Sequence, residues 1–211
     1  MSTGQAIPQH STSTPEHYTP IEIIDAARVT MGGDIDLDPA TTASVNAKRV
    51  DASNFFTKAE DGLAREWHGR VWLNPPGGRI GNRSIAAVWW SKLADEYVSG
   101  RVTQAVFLGF SIELLATSQD AKIWPGDMPF CIPRRRIEFL KEVDGNFVKG
   151  ESPTHSNVIV YLPSQGTCKT HQECTCARSW DVHSLARFAE SFKRFGRVRV
   201  SSNERAREAG L

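Results

Sequence analysis

The sequence predicts an α/β fold, a sheet flanked by helices. Three observations carry this. Short apolar runs alternate with stretches of helical period, turn residues end each run sharply, and no repeat recurs along the chain. The clearest run is "RVWLN", residues 70–74, stopped by Pro75 and Pro76.

The elements follow in order. Residues 1–17 are rich in Ser, Thr, Gln and Pro without apolar period and read as a disordered tail. Thr19-Pro20-Ile21-Glu22 has the pattern of a helix start: Thr19 as cap, Pro20 in the first position, Glu22 completing a capping box. Ile21, Ile24, Ala27 and Met31 continue at helical spacing up to Gly32-Gly33. "IDLDPA", residues 35–40, is a short strand ended by Pro39. Residues 41–70 are loop-rich, with at most a short helix near Thr42–Lys48. After "RVWLN", Ser84 caps a long helix whose Ile85, Trp89, Leu93 and Tyr97 step by four. Trp89 belongs to that apolar stripe, whereas Trp90 leans off it, a position compatible with partial exposure. "QAVFLGF" (104–110) is a buried-type strand with a short helix from Ser111. "PFCIP" (129–133) and "RRIEFLKEV" (135–143) are short strands, with Asp144-Gly145 as a hairpin turn. "NVIVYLP" (157–163) is a further strand. A last helix starts near Ser179, ends at Gly196 and leads into a basic tail. These signals divide the chain into a tail (1–17), an α/β domain (18–163), a Cys/His-rich loop (164–178) and a C-terminal helix with basic tail (179–211).

Composition narrows the function classes. The 211 residues carry 25 Lys+Arg against 24 Asp+Glu, a net charge of +1. Any polyanion site is therefore a local patch. No apolar run reaches the length of a membrane span, and the N-terminus lacks the form of a signal peptide, which implies a cytoplasmic protein.

Asn74-Pro75-Pro76 has two readings. It can be a structural strand stop. It can also be a site, because open α/β sheets bind ligands beyond the carboxyl ends of their strands. The Asn74 amide oxygen and the Pro75 carbonyl are then two fixed acceptors suited to an exocyclic amino group. Such a nitrogen is a poor nucleophile, and accepting both its hydrogens helps it become tetrahedral as it attacks.

"NPPG" after a strand resembles the Asn/Asp-Pro-Pro-aromatic motif of S-adenosylmethionine-dependent amino-methyltransferases. Together with "YTPIEIIDAA", "IDLDPATTASVNA", "FFTKAEDGL", "WHGRVWLNPPGG" and "SPTHSNVIVYL", it is similar to the phage and prophage Dam-like DNA N6-adenine methyltransferases. The resemblance runs from about Tyr18 to Leu162. It implies a reduced Rossmann-like methyltransferase sheet and methyl transfer from S-adenosylmethionine to adenine N6 in flipped-out DNA bases. Asn74, Pro75 and Pro76 would be catalytic. Thr19 and Pro20, Asp38-Pro39-Ala40 and Asp61 would face the cofactor, with the capping box, a strand-ending turn and a solvated loop acid as their structural readings. Alternatives are the same chemistry on RNA or on a protein amide, and a DNA-binding relative without activity.

Two departures from the family stand out. The aromatic position after Pro-Pro is Gly77, so either another ring stacks on the base or activity is weakened; of Trp72, Trp89, Trp90 and Phe110, Phe110 is the first candidate and Trp72 the second. The gap from Asp38 to Asn74 admits at most one reduced strand–helix unit, and Asp51 is only a weak substitute for the usual ribose-binding acid.

Two clusters remain. Cys168, His171, Cys174 and Cys176 form a compact set with the ligand types of structural zinc, or are reduced thiols on an exposed loop. Arg134, Arg135 and Arg136 follow a strand and are either DNA contacts or a solvated face.

Overall fold

The computed structural model describes residues 18–144, 146–150, 155–164 and 180–200. The N-terminal tail, the Cys168, His171, Cys174 and Cys176 cluster, and the chain after Val200 lie outside the described residues.

The first helix, α1 (Ile21–Thr30), leads to β1 (Leu37–Asp38). A single turn α2 (Ala43–Val45) runs into a wide π turn over Asn46–Val50 and then β2 (Asn54–Phe55). β3 (Gly69–Leu73) is followed by a tight pair, β4 (Arg79–Ile80) and β5 (Arg83–Ser84), and by the long helix α3 (Ile85–Val98). Next come β6 (Val102–Gly109), the short α4 (Leu114–Thr117) and β7 (Phe130–Pro133). A hairpin of β8 (Leu140–Val143) and β9 (Asn146–Lys149) precedes β10 (Val158–Leu162), α5 (Val182–Phe192) and β11 (Gly196–Arg199).

Seven strands form the central sheet in the order β11-β7-β10-β6-β3-β1-β2. The pairs β2/β1, β1/β3 and β3/β6 are parallel, and β6/β10, β10/β7 and β7/β11 are antiparallel. Two reversals make β7 run the same way as β6. β1 sends its chain outward to β2 and β3 returns on its other side. The crevice between β1 and β3 is thus the switch point of the sheet, where open α/β sheets bind ligands.

Both faces are covered, which explains the continuous apolar runs. On one face Trp72, Val106, Leu108 and Tyr161 pack under α1 and α5 through Ile24, Leu185 and Phe188. On the other, Val71, Leu73, Phe107 and Val160 pack under α3 through Trp89, Leu93 and Tyr97. All five residues of β10 are buried. Burying side chains of this size is worth about 1.5–3 kcal/mol each.

Several sequence expectations are corrected. Trp90 is not partly exposed: it is fully buried and its Nε1 donates to the Ile123 carbonyl at 2.7 Å. The segment after α4 covers the side of α3 that a single apolar stripe would leave wet. The capping box does not form; Pro20 occupies the cap position of α1 without a side-chain bond. The strand expected over 135–143 begins only at Leu140, because Ile137 N donates to the Asn157 side chain at 2.9 Å instead of to a ladder. The last helix is capped by Asp181, whose carboxylate accepts from His183 N. What reads as the start of a basic tail is β11, paired with β7 from Gly196↔Pro133 to Arg199↔Phe130. The C-terminal helix and strand belong to the same core as the rest. Among the described residues no helix is long and apolar enough to cross a membrane.

Candidate functional site

The carboxyl edge of the parallel strands opens into one pocket. Register decides what faces it. Leu73 of β3 pairs with Phe107 of β6, so Asn74 stands level with Leu108 and Phe110 leaves the sheet two residues further out. Asp38 ends β1 in the next strand position. Thr19, Asp38, Pro39, Ala40, Trp72, Asn74, Pro75, Pro76, Gly77 and Phe110 all line this pocket. Residues scattered over more than ninety positions of sequence are gathered because three strands end side by side.

Asn74 is half-buried and Pro75 is buried. Pro75 and Pro76 contribute no N–H, so the backbone at this strand end presents acceptors only. Gly77 has no positive φ, and a Cβ added there meets nothing within 4 Å. The space beside the residue after Pro75-Pro76 is open. Phe110 is half-buried; its ring stacks on Phe139 at 5.7 Å between centroids and meets His155 edge-on at 5.7 Å. Asn157, which is 2 % exposed, fixes the backbone beneath that ring: its Nδ2 donates to the Phe110 carbonyl at 3.1 Å while its Oδ1 accepts from Ile137 N. Trp72 is 1 % exposed and belongs to the core under α1.

The other half of the pocket is built around Asp38. Its carboxylate is 3 % exposed and accepts from Ala40 N at 3.1 Å. Burial pushes its pKa up to about 7, against the opposing effect of hydrogen bonds from Ala40 N and Thr41. Thr19 is 4 % exposed, and its Oγ1 is buried without a hydrogen-bond partner among the described residues. A buried hydroxyl in that state costs about 1–3 kcal/mol unless a ligand satisfies it.

Sequence reasoning missed Tyr18, Arg49, Thr57, Lys58 and Gly62, which also line the pocket. Arg49 Nη2 and Nε donate to the Thr19 carbonyl at 2.9 and 3.2 Å, and its guanidinium lies 4.7 Å from the Phe147 ring centroid. Phe147 also meets Tyr18 edge-on at 5.2 Å. The β8–β9 hairpin therefore supports the pocket wall. Gly62 had a signal, the "DGL" before Trp67. Its backbone passes against the Pro39 carbonyl, and Trp67 Nε1 donates to the Gly62 carbonyl at 2.7 Å.

Other expected site residues lie elsewhere. Pro20 does not line the pocket. Asp61 does not either; it holds φ +52 and its carboxylate accepts from Leu63 N at 3.2 Å, capping the next turn. Asp51 is exposed with φ +50 at the end of the π turn. Arg134, Arg135 and Arg136 are exposed and outside the pocket. Among the described residues no cluster of His, Cys, Asp and Glu has a metal-binding arrangement.

No family model, curated protein or solved structure matches this chain, so the reading of the site rests on its own residues.

Proposed function

We propose that the protein is an S-adenosylmethionine-dependent methyltransferase acting on the N6 amino group of adenine in DNA. One observation carries the reading: Asp38 and Asn74 end adjacent parallel strands at the switch point and wall the same pocket. One is a buried carboxylate and the other a rigid acceptor.

The residues present fit that cofactor. Its methionine part carries an ammonium and a carboxylate. The buried Asp38 carboxylate suits the cation, and the partnerless Thr19 hydroxyl together with Arg49 suits an anion. The cofactor, when bound, supplies an electrophilic methyl group on a sulfonium. Pro39 and Ala40 shape the floor between the two strand ends.

The residues of this chain do the rest. Asn74 Oδ1 and the Pro75 carbonyl accept hydrogen bonds from the two amino hydrogens of the target base. That contact strengthens as the nitrogen becomes tetrahedral, so it lowers the barrier more than it tightens binding. The methylated nitrogen then releases one of those protons to water. The Pro-Pro backbone holds both acceptors in place before the base arrives. A base in a duplex cannot reach such a pocket and must be flipped out. Phe110, in the pocket wall, supplies the ring that Gly77 lacks.

Gly77 favours a second reading, in which the chain binds cofactor and DNA without transferring methyl. Calorimetric titration with S-adenosylmethionine, followed by methylation-sensitive digestion of DNA from expressing cells, separates them. Saturable binding with protected DNA supports the enzyme. Binding with unprotected DNA supports the second reading, and the absence of binding overturns both.

A further inference from the structure

At the amino-terminal edge of β3 and β6 two arginines are neutralised. Arg70, in β3, is held by Asp36 through Nη2 at 2.8 Å and by Asp34 at 3.3 Å. Arg101, just before β6, pairs with the buried Glu96, which also holds Lys92. At the carboxyl edge the pattern reverses. Arg79 and Arg83 stand on the β4–β5 pair directly after Asn74-Pro75-Pro76, and Arg134 and Arg135 follow the end of β7. All four are exposed, and none has an ion-pair partner among the described residues.

The two groups flank the pocket. β7 runs the same way as β6, and through β10 the register sets Pro133 level with Phe110. Arg134 is therefore carried out at the edge where Asn74 and Phe110 stand, and its backbone N–H is fixed to the Phe195 carbonyl at 2.9 Å. From β3 to β7 is three strand positions, about 14 Å at the usual spacing. That is the axial rise of about four nucleotides of one strand. Arg134 also borders a shallow concavity with Arg187 and Arg197, in which Lys193 is paired with Glu190 at 2.6 Å.

We infer that the carboxyl edge is a phosphate track for a DNA strand. Arg79 and Arg83 hold the backbone on one side of the flipped base, and Arg134 and Arg135 hold it on the other. This rests on the reading of Asn74 as the site that receives the base. Guanidinium forks match phosphate oxygens, and arginines without carboxylate partners lose no ion pair on binding.

The test is fluorescence anisotropy of a labelled adenine-containing oligonucleotide against the full chain, titrated with salt. Three proteins are compared: wild type, R79Q/R83Q and R134Q/R135Q. Each phosphate contact contributes about 0.7 to the slope of log K against log salt for a single strand and about 0.9 for a duplex. Each double variant should lower the slope by about 1.4–1.8 while leaving S-adenosylmethionine affinity, measured by calorimetry, unchanged. Wild-type slopes in both variants, or a loss in only one of them, overturn the two-sided track even if wild type methylates DNA. A wild-type chain that binds S-adenosylmethionine but neither binds nor methylates DNA overturns the substrate reading itself. Tighter binding of the equivalent RNA, with the same arginine dependence, overturns DNA as the occupant.

Discussion

The backbone of Gly62 passes so close to the carbonyl oxygen of Pro39 that an added Cβ would overlap it and would also press on the edge of the Trp89 ring. The loop between β2 and β3 and the turn after β1 are thereby locked together, and the turn is the one that carries Asp38. Gly62→Ala is expected to cost at least about 2 kcal/mol of stability. It should also weaken S-adenosylmethionine binding, because the backbone relief displaces the Asp38 turn. Thermal melts and calorimetry check this; wild-type values for both would show that the contact is not what holds the pocket floor.

Asp38 makes the site pH-dependent. Its folded pKa of about 7 lies above the 3.8 of an exposed carboxylate, so the fold favours the protonated form. The stability contributed by this group is full below pH 3.8 and is lost as pH rises through about 7. A cationic cofactor needs the ionised form. Its affinity should therefore fall as pH drops below about 7, approaching tenfold per unit. Asp38→Asn should bind weakly at every pH and, without cofactor, melt higher than wild type at pH 8 with the gain shrinking toward pH 5. A difference between the two proteins that does not change with pH would remove Asp38 from this role.

Gly77 is open for substitution. Its surroundings hold nothing within 4 Å of an added Cβ. Gly77→Phe should leave the melting temperature nearly unchanged and tighten oligonucleotide binding. The gain from base–aromatic stacking is about 1–3 kcal/mol, roughly five- to 150-fold. Unchanged or weaker DNA affinity in a folded variant would place the base elsewhere.

Asn157 positions Phe110. Asn157→Ala leaves Ile137 N and the Phe110 carbonyl without its side chain, a loss of about 2–4 kcal/mol. Turnover on DNA should fall more than S-adenosylmethionine affinity, because Phe110 borders the base side of the pocket. Asn157→Asp keeps the acceptor for Ile137 N and loses the donor to Phe110. The two variants together separate stability from positioning.

The strand ends were legible in the sequence because proline leaves few options. Pro39 and Pro75-Pro76 mark where β1 and β3 stop, and the residues beside them are those at the pocket. Thr19 lines the pocket, but it does not cap α1 as the Thr-Pro-Ile-Glu pattern suggests. β2 and β11 escaped notice because strands of two residues have no period, and "GRVRV" carries its arginines where a tail would. Arg49 sits in the last turn of a π segment and Lys58 in a loop, neither marked by a sequence pattern, so only the fold brings them to the pocket. Trp90 was misplaced because helical spacing reveals one buried face, whereas α3 is covered on two.

The most direct measurement is the identity of the methylated nucleoside. An adenine-containing oligonucleotide is incubated with S-adenosylmethionine and either wild type or Asn74→Ala, then digested to nucleosides and read by mass spectrometry. The account predicts N6-methyldeoxyadenosine from wild type, and at least a hundredfold less from Asn74→Ala, the loss typical of a transition-state acceptor or donor. Cofactor affinity should stay within a few-fold in the variant. Absence of N6-methyldeoxyadenosine from wild type, or its undiminished formation by Asn74→Ala, would contradict the account.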